Sequence, residues 1–139
     1  MEKDIEHFGA EGFGVAKTPT PLTPVVRAGQ FVFVSGLVPR QKNGEILGGD
    51  VVGQTRVIME NLGDVLAEAG CGLGDVVKTT VYLRDPDDFA AFNTVYSSFF
   101  ANRKPPARTC LQNDMVIDIK VEIEAIAYYP GLAGGPRDD

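Results

Sequence analysis

The chain has 139 residues, 44% of them apolar and 23% charged, which fits one compact globular domain able to bury a core without staples. Its net charge of −6 argues against a protein that grips nucleic acid through phosphates, and no run nears the roughly 20 apolar residues of a membrane span. The acidic start MEKDIEHFGAEGFG carries no signal-peptide core, so the expectation is a cytoplasmic protein with no membrane partner.

The first 24 residues are rich in Gly, Pro and Thr, and the prolines of TPTPLTP (18–24) forbid a helix there. VVRAGQFVFVSGLVP reads as a hairpin turning at Ala28-Gly29-Gln30, with Gly36 ending its second strand. Asn43-Gly44 is a turn signal. From Asp50 to Ala69 the period becomes helical. Val51, Thr55, Ile58, Leu62, Val65, Leu66 and Ala69 form one stripe, with Asp50 as N-cap and Gly70 as stop. Asp75–Asp85 is strand-like. Asp85-Pro86 opens a second helix whose apolar positions are Phe89, Phe92, Tyr96, Phe99 and Phe100. Lys104-Pro105-Pro106 breaks it. Two strands follow, near 107–113 and 120–129.

The order is β-β-α-β-α-β-β. The economical packing is an α+β sandwich, one sheet with both helices on one face. Residues 1–139 are read as a single domain, with 1–18 an extended or mobile N-terminal stretch and 131–139 a mobile tail. One sheet face then has no cover from this chain, so it meets water or another copy.

Side chains alternate along strands. Val121, Ile123, Ala125 and Ala127 suit the helix layer; Glu122, Glu124, Ile126 and Tyr128 take the other face. Arg108, Cys110 and Gln112 share a face of the preceding strand. With these strands as antiparallel neighbours, Arg108 and Glu122 can lie on the same side. An exposed ion pair there would contribute about 0 to 1 kcal/mol. In a cleft closed by a second copy the same residues could act. The arginine fork would bind a substrate carboxylate, and a desolvated glutamate would orient and deprotonate water. Ser35 and Gly36 would add a hydroxyl and a close backbone approach. Arg108 near Cys110 would favour a thiolate, but no histidine base accompanies it, so a pocket wall is the better role for Cys110. Cys71 and Cys110 offer neither a disulfide framework nor zinc spacing. With His7 its one histidine and neither an H-x-E nor a P-C-x-x-C element, the chain lacks the ligand set of a zinc deaminase.

PPARTC followed by VEIEAIA resembles the C-terminal signature of the RidA (YjgF-like) family of reactive-intermediate deaminases. The likeness runs back through VVKTTVYLRDPDDFAAFNTVYSSFF and FVFVSGLVP, covering the chain from about Pro19 onward. The resemblance implies a chorismate-mutase-like (ferredoxin-like) fold assembled as a homotrimer, with the spare sheet faces forming a central barrel and the sites in clefts between subunits. It implies hydrolysis of enamines and imines to keto products and ammonia, with no cofactor and no metal. Carried over by motif, Arg108 clamps the substrate carboxylate and Glu122 holds the attacking water. Ser35, Gly36, Asn93 and Cys110 line the substrate site.

One position departs from the pattern. Many members place a tyrosine where TPLTP has Leu22, which resembles branches acting on aminoacrylate or 2-aminomuconate. Two other functions compete. A non-catalytic keto-acid-binding regulatory trimer would use Arg108 for capture alone. An endoribonuclease or translation inhibitor sits poorly with the acidic charge and the absence of an aromatic-basic stripe.

Overall fold

The computed structural model describes residues 4–9 and 21–133. Its strands are β1 (Ile5–Phe8), β2 (Val25–Ala28), β3 (Phe31–Leu37), β4 (Val76–Leu83), β5 (Ala107–Gln112) and β6 (Val121–Tyr128). Its long helices are α1 (Val51–Glu68) and α2 (Phe89–Ser98). The strands form one sheet in the order β1-β2-β3-β6-β4-β5. Every neighbouring pair is antiparallel except β4–β5, which is parallel.

Local signals account for most boundaries. Gly29, at a φ of +60°, takes the first position of the two-residue turn between Ala28 and Phe31, where a side chain would be strained. Asp50 caps α1 by accepting from the Gly53 N–H at 3.0 Å. Gly70, at +79°, ends it. The stripe read from the sequence is buried, with Ile58, Leu62 and Val65 fully so. The second helix starts later than read. Asp85 accepts from the Asp87 N–H at 2.9 Å, and Pro86–Asp88 makes a 3-10 turn before the α-helix begins at Phe89.

The N-terminal strand was not assigned from the sequence. Ile5–Phe8 is short, mostly exposed and half polar, so periodicity carries little signal there. Its register against β2, Ile5 opposite Ala28 and Phe8 opposite Val25, exists only once β2 is in place. Glu6 then meets Arg27, a buried cation on β2 that sits 4.4 Å over the Tyr129 ring. At the other end, Pro130–Ala133 forms a single 3-10 turn. Thr18, Pro19 and Thr20, and the tail beyond 133, lie outside the described residues.

The core sits between the sheet and the helices. Val32, Val34, Val81, Val121, Ile123, Ala125 and Ala127 meet Ile58, Leu62, Leu66 and Phe92. The face assignment made for β6 therefore holds. Among the described residues no helix covers the opposite face. It exposes Phe31, Phe33, Leu111 and Tyr128, each by more than a third. No helix among the described residues is long and apolar enough to cross a membrane.

The expected pairing of the last two strands does not form. β6 inserts between β3 and β4, and β5 runs parallel to β4 at the sheet edge. Arg108 lies opposite Thr79, which lies opposite Ala125 on the helix face. Glu122 lies opposite Tyr82, which lies opposite Leu111 on the uncovered face. Arg108 and Glu122 are therefore on opposite faces of the sheet. The parity of residue numbers was tied to a direct antiparallel pair, and an intervening strand removes that tie.

Candidate active site

The first cluster gathers between β5 and α2. Arg108 projects from β5 toward the helix, where its Nη1 donates to Asn93 Oδ1 at 2.8 Å. Phe89, Phe92 and Tyr96 stand at i, i+3 and i+7 on α2, so one helix face presents all three rings. The guanidinium carbon lies 5.0 Å from the centroid of Tyr96 and 5.7 Å from those of Phe89 and Phe92, within cation–π range. A cleft of about 470 Å³ opens beside it, walled by Tyr96, Phe100 and the Pro105-Pro106 pair. Apart from Asn93, no described residue takes a hydrogen bond or ion pair from the Arg108 fork. An acceptor with two oxygens could use the remaining N–H groups.

Cys110 sits two residues along the same strand face. Burial pushes its thiol up, and the opposing pull of Arg108 is the smaller effect. The thiolate that a cationic neighbour suggested is therefore disfavoured, which leaves Cys110 as a neutral wall residue packed against the core.

The second cluster lies on the uncovered face. Pairing of β3 with β6 shifts between Val34 and Leu37, leaving Ser35 and Gly36 in the irregularity. The Ser35 hydroxyl donates to the Thr23 carbonyl at 2.6 Å. A Cβ built on Gly36 would sit 2.2 Å from Glu122 Oε2, so the carboxylate lies directly across the space that glycine leaves open. Burial, and then the neighbouring Glu124, push the Glu122 carboxyl above its ordinary value. Among the described residues no lysine or arginine pairs with Glu124. Its Oε1 accepts from the Tyr82 hydroxyl at 2.6 Å, and that bond raises the Tyr82 phenol. Leu22 is exposed and adjoins Thr23; it lines a broad depression with His7, Phe8, Pro24 and Glu68.

The candidate residues thus form two groups. Asn93, Arg108 and Cys110 gather on the helix side, around a guanidinium with N–H groups to spare. Ser35, Gly36 and Glu122, with Leu22 nearby in the chain, gather on the other, around a carboxyl raised by burial. A single chain does not bring the two together.

The sequence profile of the family described as Endoribonuclease L-PSP matches residues 15–129. The chain belongs to the RidA (YjgF-like, L-PSP) family. Among its RidA relatives, the 2-iminobutanoate/2-iminopropanoate deaminase of Escherichia coli K12 is 39% identical over 116 residues, covering 78% of this chain and 90% of that one. The 3-aminoacrylate deaminase RutC of Acinetobacter baylyi is 38% identical over 116 residues, covering 80% and 91%. The crystal structure of E. coli TdcF with bound serine matches with a TM-score of 0.77 and 37% identity, covering 91% of this chain and 98% of that one. The six-stranded mixed sheet with two helices is therefore the RidA fold.

Part of this cluster was not legible in the sequence. Helical spacing by itself makes the aromatic stripe of α2 a core-facing surface. Phe92 and Tyr96 are indeed buried, but with the more exposed Phe89 they also flank the Arg108 cation. The signal lay in the spacing of the rings, and it became readable only once β5 was known to lie beside β4 and under α2. Thr79 and Tyr82, both on β4, went unremarked because they read as ordinary strand residues.

Proposed function

We propose that this protein is a hydrolytic deaminase for enamines and their imine tautomers bearing a carboxylate, releasing a keto acid and ammonia without a cofactor. The observation that carries the reading is the pairing of an open arginine fork with a carboxyl of raised pKa, split between two faces of one sheet. The apolar uncovered face supports closure by further copies of the chain, as in the homotrimer that the family resemblance implies. Each site would then take Arg108 and Asn93 from one copy and Glu122, Ser35 and Gly36 from its neighbour. The relatives with named activities act on this substrate chemistry.

The chemistry follows from the residues. Arg108 holds the substrate carboxylate through two parallel hydrogen bonds and draws electron density from the adjacent C=N carbon. Glu122 accepts a proton as water attacks that carbon, forming a C–O bond and a carbinolamine. The same carboxyl returns the proton to nitrogen. The carboxylate then carries the hydroxyl proton to nitrogen as the C–N bond breaks, so the keto group forms and ammonia leaves. Free imines hydrolyse readily, so positioning and one acid–base group suffice.

The substrate is proposed as 2-aminoacrylate and its tautomer 2-iminopropanoate, or a longer 2-amino-enoate such as 2-aminomuconate. Leu22, in place of a phenol, gives an apolar wall that leaves the carboxylate clamp as the main polar anchor. Ammonia release from 2-aminoacrylate generated in situ tests the reading. Arg108→Ala should lower kcat/KM by about 10²- to 10³-fold, the loss of two charge-assisted hydrogen bonds. An unchanged rate would refute the clamp. Keto-acid binding by wild type with no turnover would favour the regulatory trimer instead, and Arg108-dependent RNA cleavage the nuclease.

A further inference from the structure

Arg108 is long and flexible, and Asn93 engages only one of its nitrogens. A single hydrogen bond leaves the guanidinium plane able to turn about it. Something else must set the plane if the fork is to meet a carboxylate squarely. Of the three rings around it, Tyr96 is nearest at 5.0 Å and buried; Phe92 is buried too but lies at 5.7 Å, and Phe89, also at 5.7 Å, is 42% exposed. Attraction between a cation and a ring face is stronger where water is excluded.

Tyr96 is itself held from behind. Its hydroxyl lies 2.7 Å from Thr79 Oγ1. Thr79 is fully buried on β4, directly opposite Arg108 in the parallel register. A valine would fill the same volume, and a buried hydroxyl is costly unless it is partnered. The Thr79 and Tyr96 hydroxyls partner each other in the dry interior, so the phenol is anchored at its tip and its face is left to the guanidinium. Burial raises the phenol's pKa, so the group stays neutral and offers Arg108 a ring rather than an ion pair.

We propose that Tyr96 is a positioning residue, whose Thr79-anchored ring fixes the Arg108 guanidinium in the orientation that receives the substrate carboxylate. The inference rests on the proposed deaminase function for its kinetics but not for its binding test. The comparison uses two double variants of the full chain, Thr79→Val/Tyr96→Phe and Thr79→Val/Tyr96→Leu. Both remove the buried hydroxyl pair together, so neither strands a polar group, and they differ only in the ring. Calorimetry with 2-oxobutanoate, and with 2-oxobutanamide as its uncharged counterpart, reads the clamp directly.

The phenylalanine pair should bind 2-oxobutanoate within about twofold of wild type, and the leucine pair about tenfold more weakly, with 2-oxobutanamide unaffected. In turnover the same loss should fall on KM, with kcat changed less than about threefold. Tyr96→Met in the Thr79→Val background gives a second ringless variant should the leucine pair not fold, and the same weakening is expected of it. Equal affinity of ring-bearing and ringless proteins, or equal weakening for the acid and the amide, would overturn the proposal. Absence of ammonia release by wild type would refute the deaminase reading alone, because keto-acid binding still decides the role of Tyr96.

Discussion

At the residue scale, the contact between Gly36 and Glu122 ties a backbone choice to a chemical one. Any Cβ at position 36 enters the space of the Glu122 carboxylate, which ends a flexible side chain and can swing away. Gly36→Ala should therefore leave stability within about 1 kcal/mol while displacing the proposed base. A near-wild-type thermal melt with at least tenfold lower deaminase activity is the expected outcome. The raised carboxyl of Glu122 gives a second test. Its base form is the working one, so the acid limb of kcat/KM should lie above the ordinary glutamate value of about 4.3. Glu124→Gln removes one cause of the shift and should move that limb down. The sign for stability runs the other way. A carboxyl raised in the folded state is neutral in both states below its unfolded pKa, and the folded state loses stability as pH rises through the raised value. Glu122→Gln should thus melt higher than wild type at pH 7, with the gain vanishing in acid. A constant difference across that range would mean that charge burial is not its source.

At the scale of elements, the helices were legible because their signals are local. Asp50, the stripe through Ile58 and Leu62, and Gly70 name α1 without reference to anything distant. Asp50→Ala should cost about 1 kcal/mol in denaturant unfolding, the usual weight of a side-chain cap. The β2–β3 hairpin was legible for the same reason, since its turn glycine and its β-branched runs are contiguous. β1 was not, because Glu6 and Ile5 become a strand only by meeting Arg27 and Ala28. The strand pairing of β5 was misread for a related reason. Alternation correctly put Arg108 and Cys110 on one face, but no local feature of PPARTC says which strand it lies against.

At the scale of the whole molecule, the two clusters ask for an assembly. The uncovered sheet face presents Phe31, Phe33 and Tyr128, and the proposed acid–base group opens onto that side. Should each site join Arg108 of one copy to Glu122 of the next, chains lacking one group can complement chains lacking the other. Arg108→Ala and Glu122→Ala proteins, each inactive alone, should recover about a quarter of wild-type activity when unfolded together and reassembled in equal amounts, because about three quarters of the trimers are mixed and each mixed trimer holds one intact site of its three. No recovery, with mixed trimers verified by mass, would place both groups in a site within one chain and contradict the strand order.

The sequence by itself determined the elements with local codes, the alternation that buries Val121, Ile123 and Ala125, and the identities of the charged groups. These depend on residues close together in the chain, where periodicity, caps and turns act. Only the tertiary structure decided that β4 separates Arg108 from Glu122, that α2 lays its rings against the guanidinium, and that Glu122 rests over Gly36. Those facts arise from contacts between distant segments, whose register is fixed by the packing of the whole sheet rather than by any stretch of it.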